Sequence, residues 1–258
     1  MSTLVSLTRP ISTDSAAGTL LPWERPYTTE PIATLTHNGA NLFHIDMSPA
    51  AATRIITGRI ADEDATAVRD IDPTRLLNRL AAVIRVAEGR GEITENELAA
   101  SLDGARLHAG GALLLVTGFT GAASAAAGEG RYLSREAAAR LAQIVRGSGV
   151  DLVLTDLPYL TAPGGIHVAA DWLTAPAWQR PAWPSPNAAA YLAYHYGREK
   201  ALDDWAPTLD LVTNALLVLG LTGADQLTAS EVIVNVAPFQ VQDVGEAPCT
   251  VVAQPTES

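Results

Sequence analysis

The residues with the clearest chemical pattern in this chain are His44 and Asp46, which stand two positions apart in the run His-Ile-Asp. In a β-strand both side chains lie on the same face of the sheet, because side chains alternate between the two faces. An imidazole and a carboxylate in this arrangement could bind one metal ion or act as an acid–base pair. The same spacing also fits a polar pair at a sheet edge whose members only satisfy hydrogen bonds.

Asp156 is a second candidate, because it directly follows residues 150–155 (VDLVLT), a largely apolar segment of strand length. Such a segment predicts a buried strand. Ligands of α/β proteins bind beside the carboxyl ends of such strands, so Asp156 is a candidate substrate-binding residue. The alternative is a carboxylate that caps the turn before Pro158.

The segment 171–207 differs in composition from the rest of the chain, since it holds four of the 5 tryptophans, three tyrosines and five prolines. So much aromatic area must be buried against something, which predicts either a lid over a pocket or a subunit interface. As a lid, the segment would supply Trp172, Trp178 and Tyr194 as substrate contacts. As an interface, the same aromatic residues would pack against a second subunit.

The elements that must position these residues begin with Ile32–Asp46, where two short strands flank His37-Asn38-Gly39. Asn-Gly accepts the positive φ of a tight turn, so this segment predicts a β-hairpin that carries His44 and Asp46.

Further along, Asp72-Pro73 followed by apolar residues at helical spacing predicts a helix from Pro73 to about Glu88. Thr94 to Glu97 has the spacing of a capping box and predicts a second, short helix. The run Ala112–Val116 predicts a buried strand, and Ser134 predicts the start of a helix over Arg135–Arg146. Strand, helix and strand in this order predict an α/β fold.

Composition excludes several classes of protein. Lys plus Arg number 17 against 28 Asp plus Glu, a formal charge of −11 without any basic block, which argues against nucleic-acid binding. The longest apolar stretch, Ala215–Leu221, is too short to span a bilayer, and the single Cys249 excludes an intrachain disulfide. We therefore expect a cytoplasmic protein with an N-terminal arm over residues 1–30 and one domain over 31–258.

The order of these motifs resembles that of the metal-dependent cyclase-like family, which includes bacterial kynurenine formamidase and isatin hydrolase. Residues 110–119 (GGALLLVTGF) are similar to the family's Gly-Asp-x-Val-Leu-x-x-Thr-Gly-Trp. Residues 133–158 are similar to its Leu-Ser-x-Glu-Ala-Ala motif with the Asp-x-Pro that follows. The resemblance implies a swivelling β/β/α fold with a mixed, largely buried sheet flanked by helices, assembled as a homodimer or larger homo-oligomer.

The family's metal signature, His-x-Gly-Thr-His-x-Asp-x-Pro-x-His, departs from this chain at most positions. Without gaps it matches only His44 and Asp46, with Phe43 at the threonine and Ala50 at the final histidine, which serves as the family's general acid/base. An insertion would instead bring His37 onto the first histidine. Further on, His167 and Asp210 resemble the family's later metal-binding histidine and its Glu-x-Leu-x-Asn-Leu carboxylate.

These matches and departures leave three functional hypotheses. The first is an enzyme without a cofactor that cyclises or rearranges an apolar, polyketide-like substrate, with His44, Asp46 and His167 as catalytic residues and Phe43 at the substrate. The second is an amide or lactone hydrolase that uses a divalent metal such as Zn or Mn, with ligands drawn from His37 or His44, Asp46, His167 and Asp210. The third is a non-catalytic relative whose aromatic segment is an interface. The first is favoured, because without the final histidine of the signature the chain lacks the base that hydrolysis requires.

Overall fold

The structure is a computed structural model, and it describes residues 4–11, 27–49, 53–60, 62–87, 89, 91–119, 131–161 and 206–256. Ten strands are defined in these ranges: β1 Val5–Ser6, β2 Thr28–Ala33, β3 Leu42–Asp46, β4 Arg54–Ile56, β5 Arg79–Arg85, β6 Ala112–Val116, β7 Leu152–Thr155, β8 Leu216–Leu219, β9 Glu231–Pro238 and β10 Glu246–Pro255. The helices with defined bounds are α1 Leu35–Asn38, α2 Glu95–Leu102 and α3 Arg135–Ser148. No helix of the described ranges combines the length and the apolar character needed to cross a membrane.

The main sheet has eight strands in the order β1-β10-β4-β8-β7-β6-β5-β9. Strands β5 to β8 run parallel to one another, and the other pairings are antiparallel. The long strand β10 also pairs with β9, so the sheet closes on itself. The carboxyl ends of β5 to β8 therefore meet at one mouth of a closed sheet.

The parallel strands β6, β7 and β8 are buried on both faces, which explains their almost entirely apolar sequences. On β6, Leu114 and Val116 face the interior of the closed sheet, whereas Leu113 and Leu115 belong to the apolar layer that packs against α3. Helix α3 contributes Leu141 among other residues to this outer layer. The fold class is the predicted one: an α/β fold with a mixed, buried sheet flanked by helices.

Two of the predicted helices begin where the sequence indicated. Thr94 accepts a hydrogen bond from the Glu97 backbone N–H and Glu97 accepts one from the Thr94 N–H, so the capping box opens α2. Ser134 accepts a hydrogen bond from the Ala137 N–H and caps α3. Helix α3 continues two residues past the predicted end and stops at Gly149, which has a φ of 73°.

The predicted helix from Pro73 to Glu88 is wrong. Asp72 does cap a turn, accepting a hydrogen bond from the Thr74 N–H at 2.9 Å, but the turn is a short 3₁₀ element over Pro73–Arg75. Asn78 then adopts a φ of 53°, which helical residues do not have, and β5 follows. The apolar spacing fitted a helix because a strand buried on both faces also carries apolar residues at positions three and four apart.

The predicted hairpin is confirmed, because β2 and β3 pair antiparallel. Its connection is not the expected two-residue turn: the helical turn α1 joins the strands and ends at Gly39, which has a φ of 72°. Asn38 belongs to this helical turn, and its side chain accepts a hydrogen bond from the Thr34 N–H. The hairpin forms a sheet of its own, apart from the main sheet.

The predicted N-terminal arm and aromatic segment lie largely outside the described residues, so the domain boundaries stay predictions. Within the described part of the arm, β1 pairs with β10 and Leu7 is fully buried in the interior of the closed sheet. The beginning of the chain is therefore part of the main sheet.

Candidate functional site

A cleft of about 360 Å³ lies at the mouth formed by the carboxyl ends of the parallel strands. Its walls come from the first described segment and from the loops that follow β6, β7 and β8: Arg9, Val116, Gly118, Phe119, Asp156, Thr222, Gly223, Ala224 and Asp225. Ligand sites concentrate at this edge of α/β sheets and at the mouths of closed sheets. The cleft is therefore the candidate functional site.

Asp156 organises the loop after β6. Its carboxylate accepts hydrogen bonds from the backbone N–H groups of Thr117 (3.0 Å), Gly118 (2.9 Å) and Phe119 (3.1 Å), and from the Thr117 hydroxyl (2.8 Å). Burial raises the pKa of Asp156 above its ordinary value, and the hydrogen bonds from Thr117, Phe119 and Gly118 oppose this rise. The carboxylate thus fixes the position of Phe119 in the cleft wall.

Arg9 supplies the positive charge of the cleft. Its Nε donates to the Gly220 carbonyl at 3.3 Å and its Nη2 to the Leu221 carbonyl at 3.5 Å. Burial lowers the pKa of Arg9, Asp156 acts in the opposite direction, and the charge of Arg54 lowers it further. A guanidinium remains protonated at neutral pH in proteins, so Arg9 is a half-buried cation.

A tight turn after β8 forms the facing wall. Gly223 has a φ of 70°, and a Cβ there would lie 2.9 Å from the Ser6 carbonyl oxygen, so only glycine fits without a shift of the backbone. The short 3₁₀ element Ala224–Gln226 follows, and Arg85 donates hydrogen bonds to the carbonyls of Ala224 and Leu227. Arg85 thereby holds the turn that carries Asp225.

Phe119 packs against Tyr132 behind the cleft wall, with ring centroids 6.1 Å apart and an interplanar angle of 57°. Tyr132 is 4% exposed, and its hydroxyl has no hydrogen-bond partner among the residues that the structure describes. Burial raises the pKa of Tyr132 to about 12, so the hydroxyl stays neutral. This hydroxyl is an unused donor beside the apolar wall of the cleft.

The predicted residues of the hairpin do not line this cleft. His44 and Asp46 lie on one face of β3, as the spacing predicted, and Phe43 lies on the other face and is 54% exposed. The hairpin has no buried residue to anchor it against the main sheet. The structure therefore separates these three residues from Asp156, which does line the cleft.

The remaining predicted contacts, His167, Trp172, Trp178 and Tyr194, lie outside the described residues. Their roles stay predictions.

The described donors do not form a metal site. Catalytic metal ions are held by about three protein ligands, and the described ranges contain no cluster of three His, Cys, Asp or Glu residues. Asp210, a candidate ligand, forms an ion pair with Arg146 at 2.5 Å. Besides Asp210, the described members of the proposed ligand set are His37, His44 and Asp46, which all belong to the segment that forms β2, α1 and β3.

A second cleft of about 360 Å³ lies at the opposite end of the sheet, where β8 begins. Its charged and amide lining residues are Asp62, Asp64, Arg75 and Asn214. Arg75 is already engaged by Asp151, with Nε and a carboxylate oxygen 3.5 Å apart. The cleft at the carboxyl ends is the better candidate, because it combines charged groups with the aromatic wall of Phe119.

Sequence reasoning missed Arg9 and the turn at 222–225. Two sequence signals mark them: the alternation of Val5 and Leu7 predicts a short strand that ends beside Arg9, and Gly223 follows the apolar run 215–221. That run is too short to span a bilayer, and it contains the buried strand β8.

Comparisons with known proteins show which solved structures share this architecture. No family model matches the sequence, and no curated protein matches it significantly. Among solved structures, isatin hydrolase A from Labrenzia aggregata bound to benzyl benzoate is similar, with a TM-score of 0.67, 18% identity and coverage of 99% of this chain and 94% of that one. A predicted metal-dependent hydrolase from Bacillus stearothermophilus matches with a TM-score of 0.62, 14% identity and coverage of 99% and 100%.

A structure described as a novel cyclase is also similar, with a TM-score of 0.63, 12% identity and coverage of 98% of this chain and 88% of that one. Matches over nearly the whole of both chains at such low identity establish the architecture. The chain therefore has the cyclase-like fold that the order of its sequence motifs implied.

Proposed function

We propose that the protein is an enzyme that binds an apolar, polyketide-like intermediate in the cleft at the carboxyl ends of β5 to β8 and promotes its cyclisation or rearrangement without a metal ion. The observation that carries this proposal is the pairing of a half-buried guanidinium, Arg9, with the aromatic wall of Phe119 in one cleft. A carbonyl group of a bound ligand would meet Arg9 while its unsaturated chain packs on Phe119.

The chemical contribution of such a cleft is orientation and charge stabilisation. A folded substrate chain brings its reacting carbons together, which replaces an entropically costly encounter. Negative charge that develops on a carbonyl oxygen would be stabilised by Arg9 in a partly desolvated site. The interaction is strong because the protein around Arg9 screens charge less than water does.

A metal-dependent amide or lactone hydrolase is the second candidate. It is favoured by the structures that this chain resembles, whose names include isatin hydrolase and a predicted metal-dependent hydrolase. His44, Asp46 and His167 would then be the ligands. The third candidate, a non-catalytic binding protein, requires that the cleft turns over no substrate. A homodimer and a cytoplasmic location belong to each of these proposals.

Metal content separates the first two candidates. The untagged protein, purified without chelator, is analysed for zinc, manganese and iron per chain. We expect a value near zero that does not rise after incubation with excess metal. About one metal ion per chain, with activity lost on chelation, would replace the cyclase proposal with the hydrolase.

Turnover tests the proposal directly. Unsaturated oligoketide chains are incubated with the protein, and products are followed by mass spectrometry for an isomer or for loss of water. We expect Phe119→Ala to lower turnover at least tenfold by removing the aromatic wall, and Phe239→Ala, an exposed phenylalanine elsewhere, to leave it unchanged. Absence of turnover together with tight ligand binding would support the non-catalytic alternative.

A further inference from the structure

The cleft contains three charged side chains, which differ in the hydrogen bonds that they form within the protein. Asp156 is committed to the Thr117–Phe119 loop, because its oxygens accept four hydrogen bonds from that loop. Arg9 uses its Nε and Nη2 on two backbone carbonyls, and its Nη1 donates to no described residue. Asp225 is exposed and lines the cleft, and it forms no hydrogen bond or ion pair with another residue that the structure describes.

The loop between β8 and Asp225 connects the Arg9 guanidinium to the Asp225 carboxylate. Arg9 holds its first residues through the carbonyls of Gly220 and Leu221, and Arg85 holds its last turn through the carbonyl of Ala224. The carboxylate of Asp225 and the guanidinium of Arg9 are thus anchored by one short loop on the wall of one cleft. A carboxylate and a cation on the wall of one cleft that also has an aromatic wall are the groups needed to remove a proton and stabilise the anion that forms.

We propose that Asp225 is a general base and Arg9 an enolate-stabilising cation, and that the cleft takes enolisable carbonyl compounds. The inference rests on the proposed function and specifies its chemistry as an intramolecular aldol addition. Asp225 takes a proton from the carbon next to a carbonyl group. The electrons of that C–H bond form the C=C bond of an enolate, whose oxygen faces Arg9.

The second half of the reaction returns the proton. The enolate carbon attacks another carbonyl carbon of the same molecule, a C–C bond forms, and the electron pair of the attacked carbonyl moves to its oxygen. That oxygen takes the proton from the protonated Asp225. The product is an isomer of the substrate, so no oxidant, reductant or co-reactant is needed.

Proton removal is measured without cyclisation by following the exchange of the α-protons of 1-indanone in deuterated buffer by NMR. This planar aryl ketone fits the aromatic wall and cannot cyclise. We expect the wild-type protein to accelerate the exchange over buffer, and Asp225→Asn to lower the acceleration about 100-fold. Asp103→Asn, which alters an exposed carboxylate outside the cleft, is the matched control.

Charge stabilisation is measured by calorimetric binding of 5-phenylcyclohexane-1,3-dione, which is an enolate at neutral pH, against neutral 3-phenylcyclohexanone. We expect Arg9→Gln to weaken binding of the enolate at least tenfold and binding of the neutral ketone little. Asp225→Asn is expected to retain or strengthen enolate binding, because a like charge is removed. Arg140→Gln, an exposed arginine on α3, is the control for Arg9.

Thermal unfolding of every variant shows whether it folds, and Arg9→Lys replaces Arg9→Gln if the latter does not. Lysine keeps the charge and loses the fork of N–H donors, so Arg9→Lys is expected to retain the preference for the enolate over the ketone at reduced affinity. No exchange with the wild type, exchange unchanged in Asp225→Asn, or equal loss of enolate and ketone binding in the Arg9 variant overturns the inference. Exchange without any cyclisation in the turnover screen would sustain this inference and overturn the proposed function.

Discussion

Asp156 shows how one buried carboxylate can determine the shape of a site. It is 5% exposed, and burying a charge is costly unless the charge is hydrogen-bonded. The backbone N–H groups of Thr117, Gly118 and Phe119 compensate for that cost, and in turn the loop is fixed against β7. From the sequence, Asp156 is predicted to contact substrate or to cap a turn. In the structure its carboxylate accepts hydrogen bonds from the loop that follows β6.

We predict that Asp156→Ala lowers the free energy of unfolding by about 3 kcal/mol, because it leaves several buried backbone donors without an acceptor. Urea unfolding followed by circular dichroism measures the change. Asp103→Ala, at an exposed site, is the control and is expected to change stability by less than about 0.5 kcal/mol. A loss for Asp156→Ala as small as the control's would mean that these hydrogen bonds do not fix the loop.

At the scale of elements, the capping box of α2 makes stability depend on pH. The Thr94 backbone N–H, the Thr94 hydroxyl and Arg131 all lower the pKa of Glu97 from its ordinary value of 4.5. A carboxyl whose pKa is lower in the folded state stabilises the fold above the ordinary value, and this contribution disappears as the pH falls through the folded value.

We therefore predict that the wild type loses more unfolding free energy than Glu97→Gln when the pH is lowered from about 6 to about 3. Glutamine cannot be protonated in this range, so the variant lacks this part of the pH dependence. Chemical denaturation at several pH values measures the difference. Glu95→Gln removes a charge from the same helix and leaves the capping box intact, and parallel curves for wild type and Glu97→Gln would contradict the assignment.

Within the described part of the chain, the β2–β3 hairpin has no buried residue. Its large apolar residues are more than half exposed, namely Ile32, Leu35, Leu42, Phe43 and Ile45. A two-stranded sheet with no buried residue has little stability in water, and its outer strand edges remain open to pairing. Because a twofold contact joins the same patch on both copies, we propose that a second copy of this chain covers the hairpin.

We predict that the wild type is a homodimer and that the double variant Phe43→Ser with Ile45→Ser, on one face of β3, shifts it to monomer. Multi-angle light scattering at micromolar concentration measures the mass. Phe239→Ser, an exposed phenylalanine outside the hairpin, is the control and should remain dimeric. A monomeric wild type, or a dimeric double variant, would place the contact elsewhere.

At the scale of the whole molecule, the pairing of β10 with β9 closes the sheet around an apolar interior. Cys249 lies in that interior at 4% exposure, and burial raises the pKa of its thiol to about 12. The reactive thiolate is therefore scarce at neutral pH, and the low exposure of the side chain limits access to it.

We predict that an aromatic disulfide reagent labels native Cys249 only at the rate of global unfolding, and that the labelling free energy equals the one from circular dichroism. Ser230→Cys adds an exposed thiol to the same chain and should react at once, which verifies the reagent. Rapid labelling of the wild type in native buffer would show that the sheet opens locally beside β10.

The sequence alone determined the local structures that local chemistry controls. Ser134 and the Thr94–Glu97 box start their helices because a side chain satisfies nearby backbone donors, and the runs at β6 and β7 could only be buried strands. The order of these motifs was enough to imply the cyclase-like fold. The segment 73–88 failed because its apolar spacing fits two elements, and only pairing with β6 and β9 selected the strand.

Tertiary structure alone decided which residues share the site. Arg9 and Asp225 are more than two hundred positions apart in the sequence, and neither lies in a recognisable motif. They line the same cleft because β1 pairs with β10 and because the parallel strands end at one mouth. Spacing within one strand brought His44 and Asp46 together, but it contains no information on where the hairpin packs, because that depends on long-range contacts.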